Sequence, residues 1–213
     1  MEELIEKTRS FVAEVLKDEP SSHDMSHVER VEALCLKIAN TEGGNPRIVQ
    51  LAALLHDVGV VREHLEGGDH AVYSAEIAGD FLHDTGVDSE TIEHVVSCIR
   101  THRFSRGLTP ESLEGRILQD ADRLDALGAV GIFRSLVSMG ALRGLRHTIG
   151  AVKETSMNAY MEDPFDGFED YMKRKPFKIM ERLNTNTSKE IAKERLIIME
   201  TFLEQLRKER SVE

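Results

Sequence analysis

Apolar residues in this chain recur with a period of about 3.6 residues more often than they alternate, and that rhythm steers the fold towards helices packed on helices. In LAALLHDVG, residues 51–59, Leu51, Leu54 and Leu55 make an apolar helical face that ends on His56-Asp57, followed by Gly59. A stripe of Leu4, Ile5, Phe11, Val12, Val15 and Leu16 gives a helix over 2–17 that stops before Pro20. SSHD, 21–24, offers N-caps for a helix with Val28, Val31, Leu34, Cys35 and Ile38 on one face, ending before Gly43-Gly44. Asn45-Pro46 reads as the N-cap and first residue of a helix to about Val58. Residues 60–69, with Gly67-Gly68, read as a loop.

Helices follow at 70–83, 89–101 and 111–119, the last opened by Thr109-Pro110. Another begins near Asp120 and runs to about Val137. Residues 138–168 carry Gly140, Gly144, Gly150, Pro164 and Gly167 and read as short helices with a loop over a site. Residues 169–183 read as helical, and Thr187-Ser188-Lys189-Glu190 as a capping box for a last helix to about Arg210. No repeat, low-complexity segment or domain boundary is visible. The expectation is one all-α domain over 1–213, with a core at about 20–137 and added C-terminal helices at about 138–210.

The net charge of −11 repels polyanions, so duplex nucleic acid is excluded as a partner. A small phosphorylated substrate is compatible with that charge if a metal or local cations neutralise it. The N-terminus MEELIEK lacks the basic and apolar regions of a signal peptide, and no apolar run approaches the ~18 residues of a membrane span. Cys35 and Cys98 fall inside helical patterns and read as buried reduced thiols. The expected location is the cytoplasm. A homodimer is compatible with an amphipathic bundle.

Several of the nine histidines fall at predicted helix ends. His27 lies near the start of one helix, His56-Asp57 at the end of the next, and Asp122 at the start of a much later one. Two imidazoles and two carboxylates are a mixed N/O ligand set suited to Mn, Fe, Co, Ni or Zn, without the thiolates of structural zinc. Neighbouring helical residues splay by about 100°, so His56 and Asp57 can share an ion only where the helix tip meets a cavity. By spacing alone, the competing reading is that each is a solvated or capping residue. His23 and His27 have the spacing of a helical metal pair, but Asp24 as N-cap would leave His23 off the helix.

Three blocks in order, HDMSHVERV (23–31), LLHDVG (54–59) and QDADRLDALGAVGIFR (119–134), resemble the HD superfamily of metal-dependent phosphohydrolases. The stretch 177–206 is similar to the C-terminal helices of a bacterial and archaeal branch of that superfamily. The resemblance implies a single helical HD domain. It implies metal ligation by His27, His56, Asp57 and Asp122 and hydrolysis of phosphate esters or anhydrides, mostly on nucleotides. Some similar proteins are nucleoside triphosphate pyrophosphohydrolases, which makes that activity the first expectation. Nucleoside 5'-monophosphate dephosphorylation and cyclic phosphodiester cleavage come next. A non-catalytic nucleotide-binding module and a metal-stabilised structural bundle are the readings from other classes.

One divalent ion is expected, with Mn favoured for activity. It would lower the pKa of water from about 15.7 towards about 7, and Asp57 would both ligate it and orient that water. Binuclear relatives carry a tandem His-His where this chain reads RTHRF, so His102 is followed by Arg103, a cation that does not deprotonate. His70 and Arg103 are therefore expected to contact substrate phosphate, with His102 as the acid for the leaving group. The alternatives are a solvent-facing His70 at a helix start and a His102 interacting with a helix C-terminus. Asp125, one turn after Asp122, reads either as an outer partner of a ligand histidine, a role also assigned to His23, or as a salt bridge to Arg123, Arg30 or another base. His64, His83, His94 and His147 read as structural, and the basic segments 142–147 and 173–175 as solvated faces or phosphate-binding arms.

Overall fold

The computed structural model describes residues 2–17, 19, 23–103, 106–149 and 164–211, and among them every regular element is helical. Two compact units are present. The first is Met1–Arg123 with Asn184–Ser188, and the second is Leu124–Leu183 with Lys189–Glu213.

The first unit is built around α3 (Pro46–Leu55), whose residues from Val49 on are buried except Gln50. A helix apolar on all sides must lie at a centre, and α1 (Glu2–Val15), α2 (Met25–Glu42), α5 (His70–Asp84) and α6 (Ser89–Thr101) pack against it. Each fully buried leucine on it, such as Leu51 or Leu54, contributes about 2 kcal/mol of apolar transfer. The helix ends are fixed as the sequence predicts. Asp24 caps α2 by accepting from the His27 amide, Gly43 closes α2 at φ 91°, and Asn45 accepts from the Arg47 and Ile48 amides ahead of Pro46. Cys35 and Cys98 are free and buried.

Several boundaries differ from the sequence reading. The expected loop at 60–69 begins with a two-turn helix, α4 (Val60–Glu66), and α3 stops at Leu55, not near Val58. The break expected between 119 and 120 is absent. Instead α7 (Leu113–Asp125) is continuous through Asp122, and Ser112 accepts from the Gly115 amide at its start. Asp120 therefore caps nothing in its own helix. It is buried and accepts bonds from the Asn184 and Thr185 amides, the Asn184 side chain and the Thr185 hydroxyl. The last helix, α11 (Asn186–Arg210), is capped by Thr185 Oγ1 on the Ser188 amide, not by a box at Thr187. The Thr187 amide and hydroxyl both donate to Glu42 at 2.7 Å.

In the second unit, α8 (Gly128–Ile149) is longer than expected, and α9 begins at Pro164 (Pro164–Arg174). A short α10 (Pro176–Ile179) and a 3-10 turn (Met180–Arg182) lead to α11. Phe168 and Phe202 meet edge to face at 6.0 Å, and Phe168, Met172, Met199 and Leu203 are buried. Residues 150–163, and the side chains of 142–147 including His147, lie outside the described residues. Among the described residues no helix is long and apolar enough to cross a membrane.

Candidate metal centre

Four helix ends of the first unit converge on Asp57. His27 stands in the first turn of α2, held by the Asp24 cap, and His56-Asp57 form the turn that ends α3. His70 opens α5, and His102 terminates α6. Asp122 joins them from the last turn of α7, not from the start of a helix.

Asp57 is 1% exposed, and its two oxygens face different partners. Oδ2 lies 2.6 Å from His23 Nδ1, 3.2 Å from His56 Nε2 and 3.3 Å from His27 Nε2. Oδ1 lies 3.5 Å from His70 Nε2 and 3.7 Å from His102 Nε2, and it has no hydrogen-bond partner among the described residues. Asp122 Oδ1 is 3.5 Å from His27 Nε2, with the carboxylate about a quarter exposed. Among the described residues four sets each bring their ligand atoms within 4.8 Å of one another: His23, His27 and Asp57; His27, His56 and Asp122; Asp57, His70 and His102; and Glu63, Asp69 and His70.

The histidine rings are locked from behind. His56 Nδ1 donates to Ala53 O at 2.7 Å and His102 Nδ1 to Ile99 O at 2.7 Å, so their Nε2 atoms turn inward. His56 Nε2 and His27 Nε2 are 3.3 Å apart. Two imidazole lone pairs at that separation repel unless a proton or a cation lies between them. The bare, buried Asp57 Oδ1 is what a divalent ion would relieve, and the two Nε2 atoms turned towards each other offer it a pair of donors in place of that proton, so the residues present fit such an ion.

Burial pushes the His56 imidazolium down, but Asp57 and Asp122 outweigh it and hold the ring up at about 9. Both carboxylates are held below the ordinary aspartate value against their burial, Asp57 by His56 and His23 and Asp122 by His27 and His102. Burial, helped by His56, drives His102 down to about 4 and keeps it neutral.

His23 precedes α2 and bonds Asp57 Oδ2 at 2.6 Å. Arg103 Nη1 donates to Glu63 Oε1 at 2.7 Å and to Asp69 Oδ1 at 2.8 Å. Asp125 belongs to the second unit and accepts from Arg134 at 2.5 Å, a base the sequence reading did not name. His94 pairs with Glu114, His64 lies 3.6 Å from Glu19, and His83 is exposed. Gly59 of the HDVG stretch has a role of its own. A Cβ there would meet the Ser74 amide nitrogen and lie 2.7 Å from His70 O, so glycine is what lets α5 carry His70 this close. Sequence reading missed Glu63, which accepts from His70 Nδ1 at 2.8 Å, and Asp69, which caps α5 and binds Arg103 and Arg106. Asp69 had a signal, since an aspartate directly before a helix is a capping pattern; Glu63 had none.

Known proteins resemble this chain over most of its length. Residues 25–127 match the HD domain model. The protein YpgQ of Bacillus subtilis is 34% identical over 208 residues, covering 96% of this chain and 92% of YpgQ. The crystal structure of YpgQ in complex with ADP aligns with a TM-score of 0.71 over 96% of this chain and 94% of that one, at 29% identity. An HD-superfamily hydrolase from Bacillus thuringiensis is 33% identical with a TM-score of 0.68 over 100% and 99% of the two chains. A predicted HD superfamily hydrolase from an uncultured Thermotogales bacterium is 31% identical with a TM-score of 0.68 over 97% and 92%. The chain belongs to the HD superfamily, an all-α family of metal-dependent phosphohydrolases.

Proposed function

We propose that this chain is a cytoplasmic, metal-dependent phosphohydrolase of small nucleotides, acting first as a nucleoside triphosphate pyrophosphohydrolase. The observation that carries the reading is Asp57, a buried carboxylate with one oxygen among His23, His27 and His56 and the other bare between His70 and His102. A divalent ion held by His27, His56, Asp57 and Asp122, with Mn as the working choice, supplies Lewis acidity for water and for a phosphoryl oxygen. The chain's own groups do the rest. His23 holds Asp57 Oδ2. Arg103 makes its carboxylate bonds through Nη1 and is about a quarter exposed, so its remaining nitrogens can meet phosphate, whereas His70, expected to do the same, is buried with Nδ1 on Glu63 and Nε2 towards Asp57 Oδ1. His102 suits an acceptor better than the leaving-group acid expected of it, because its Nδ1 proton is engaged by Ile99 and its ring stays neutral. The ADP bound by YpgQ supports a nucleotide as the substrate class.

The test is a panel of nucleoside mono-, di- and triphosphates and cyclic nucleotides incubated with the protein and Mn, assayed for phosphate and for pyrophosphate. Pyrophosphate from triphosphates is the expected result. Phosphate from monophosphates, or opening of cyclic diesters, moves the substrate, and binding without product makes the chain a nucleotide-binding module. A two-ion centre is favoured by one observation, the triad of Asp57, His70 and His102 within 4.8 Å. Elemental analysis decides between them: a ratio near one ion per chain keeps the single site, and a ratio near two replaces it.

A further inference from the structure

Resting on that reading, we propose that Glu63 is a positioning residue which, clamped by Arg103, fixes His70 as its Nδ1–H tautomer, so that an Nε2 lone pair faces Asp57 Oδ1 and His102 Nε2. Glu63 lies on the two-turn helix α4 and is about four-fifths buried. Its two oxygens are divided between two donors: Oε2 accepts from His70 Nδ1 at 2.8 Å and Oε1 from Arg103 Nη1 at 2.7 Å. Arg103 is itself anchored on Asp69 Oδ1 at 2.8 Å, and Asp69 Oδ1 also caps α5 through the Ala71 amide at 3.1 Å. Asp69 Oδ2 takes Arg106 Nε at 2.5 Å. One guanidinium therefore joins the helix cap that places the His70 backbone to the carboxylate that orients its ring.

Glu63, Asp69 and His70 also have ligand atoms within 4.8 Å of one another, the spacing of a cation site. Arg103 already supplies the cation there. An ionised carboxylate can only accept, so Nδ1 of His70 must donate, and a neutral ring then carries its lone pair on Nε2. That is the less favoured form of neutral histidine in water. The same polarity holds at His56 and His102, whose Nδ1 atoms are bound by backbone carbonyls. His70 has no carbonyl in that place and depends on Glu63.

The isosteric variant Glu63→Gln separates this from a packing role. Arg103 has donors only, so the glutamine oxygen must face it, which turns the amide NH2 towards His70 Nδ1 and forces the proton to Nε2. The experiment is nitrogen-15 NMR of the histidine rings in the full-length, chelator-stripped protein. The expected spectra are Nδ1–H for His70 in the wild type, Nε2–H in Glu63→Gln, and return to Nδ1–H in Glu63→Gln/Arg103→Met, where the amide is free to rotate. With Mn and nucleotide, Glu63→Gln should lower kcat by roughly 10- to 100-fold with KM unchanged. A wild-type His70 protonated on Nε2 overturns the inference, and that measurement needs no variant. So does a Glu63→Gln ring still protonated on Nδ1. If the tautomers behave as stated but the wild type hydrolyses no nucleotide, the hydrolase reading fails and the Glu63–Arg103 clamp stands.

Discussion

The two units of the molecule differ in what their buried charges are paired with. The first buries His27, His56, Asp57, His70, His102 and Asp120 beside an apolar central helix. The second matches charge with charge, in surface pairs such as Glu169 with Arg207 and Asp166 with Arg210 and in the pair of the buried Asp125 with Arg134, and leaves Phe133, Leu136 and Val137 of α8 exposed. Burying imidazoles and carboxylates is unfavourable unless each finds a partner, and in the first unit most do. The bare Asp57 Oδ1 and the His27–His56 contact are left for an ion. In the second unit the buried Asp125 is already matched by the Arg134 guanidinium, so the chemistry is assigned to the first.

Substitutions should preserve this contrast. His56→Ala and Asp57→Ala should each abolish turnover and metal retention, read by the nucleotide assay and elemental analysis; a variant with near wild-type activity and its ion would remove the site. His102→Ala should lower turnover by about 10- to 100-fold. Loss of the ion along with activity would make it a ligand, and unchanged turnover would remove it from the centre. Asp120→Ala strands buried donors on Asn184 and Thr185 and should lower stability by about 3 kcal/mol in urea titration. Gly59→Ala should cost roughly 1–3 kcal/mol as α5 is pushed from the HDVG turn, and a neutral result would show that the approach is soft.

The smallest effect belongs to the second unit. Hydrogen bonds from Arg207 and Lys173 hold Glu169 down to about 2 from its ordinary 4.5. The folded form therefore favours the carboxylate, and its contribution is complete above pH 4.5 and lost as pH falls towards 2. Solvent screening keeps it below ~1 kcal/mol. Comparing wild type with Glu169→Gln, the difference in melting temperature should vanish at the acid end.

The elements readable from sequence were those whose ends are closed locally. Asp24, Gly43 and Asn45 act within a few residues of themselves, and α2 and α3 begin where those residues predict. The elements misread were those whose ends are set by distant groups. Asp120 looked like a helix start because aspartate caps helices, but its carboxylate serves Asn184 and Thr185, more than 60 residues on. α4 is too short for a periodic stripe and buries only Val60, so the Gly67-Gly68 pair dominated the reading. At the site, HD and the flanking blocks pointed to side chains that converge, because an ordered set of motifs is legible without any apolar period. Glu63 is invisible in that reading, since an exposed-looking glutamate on a polar turn gains its meaning only when α5 brings His70 to it.

The hold of Asp120 and Glu42 on residues 184–188 also bears on how the chain matures as it leaves the ribosome. Translation delivers Asp122 well before it delivers Thr185, so for the intervening sixty or so residues the nascent first unit lacks its closing clasp. A stalled product ending near residue 180 should be digested by protease where one ending near residue 195 survives.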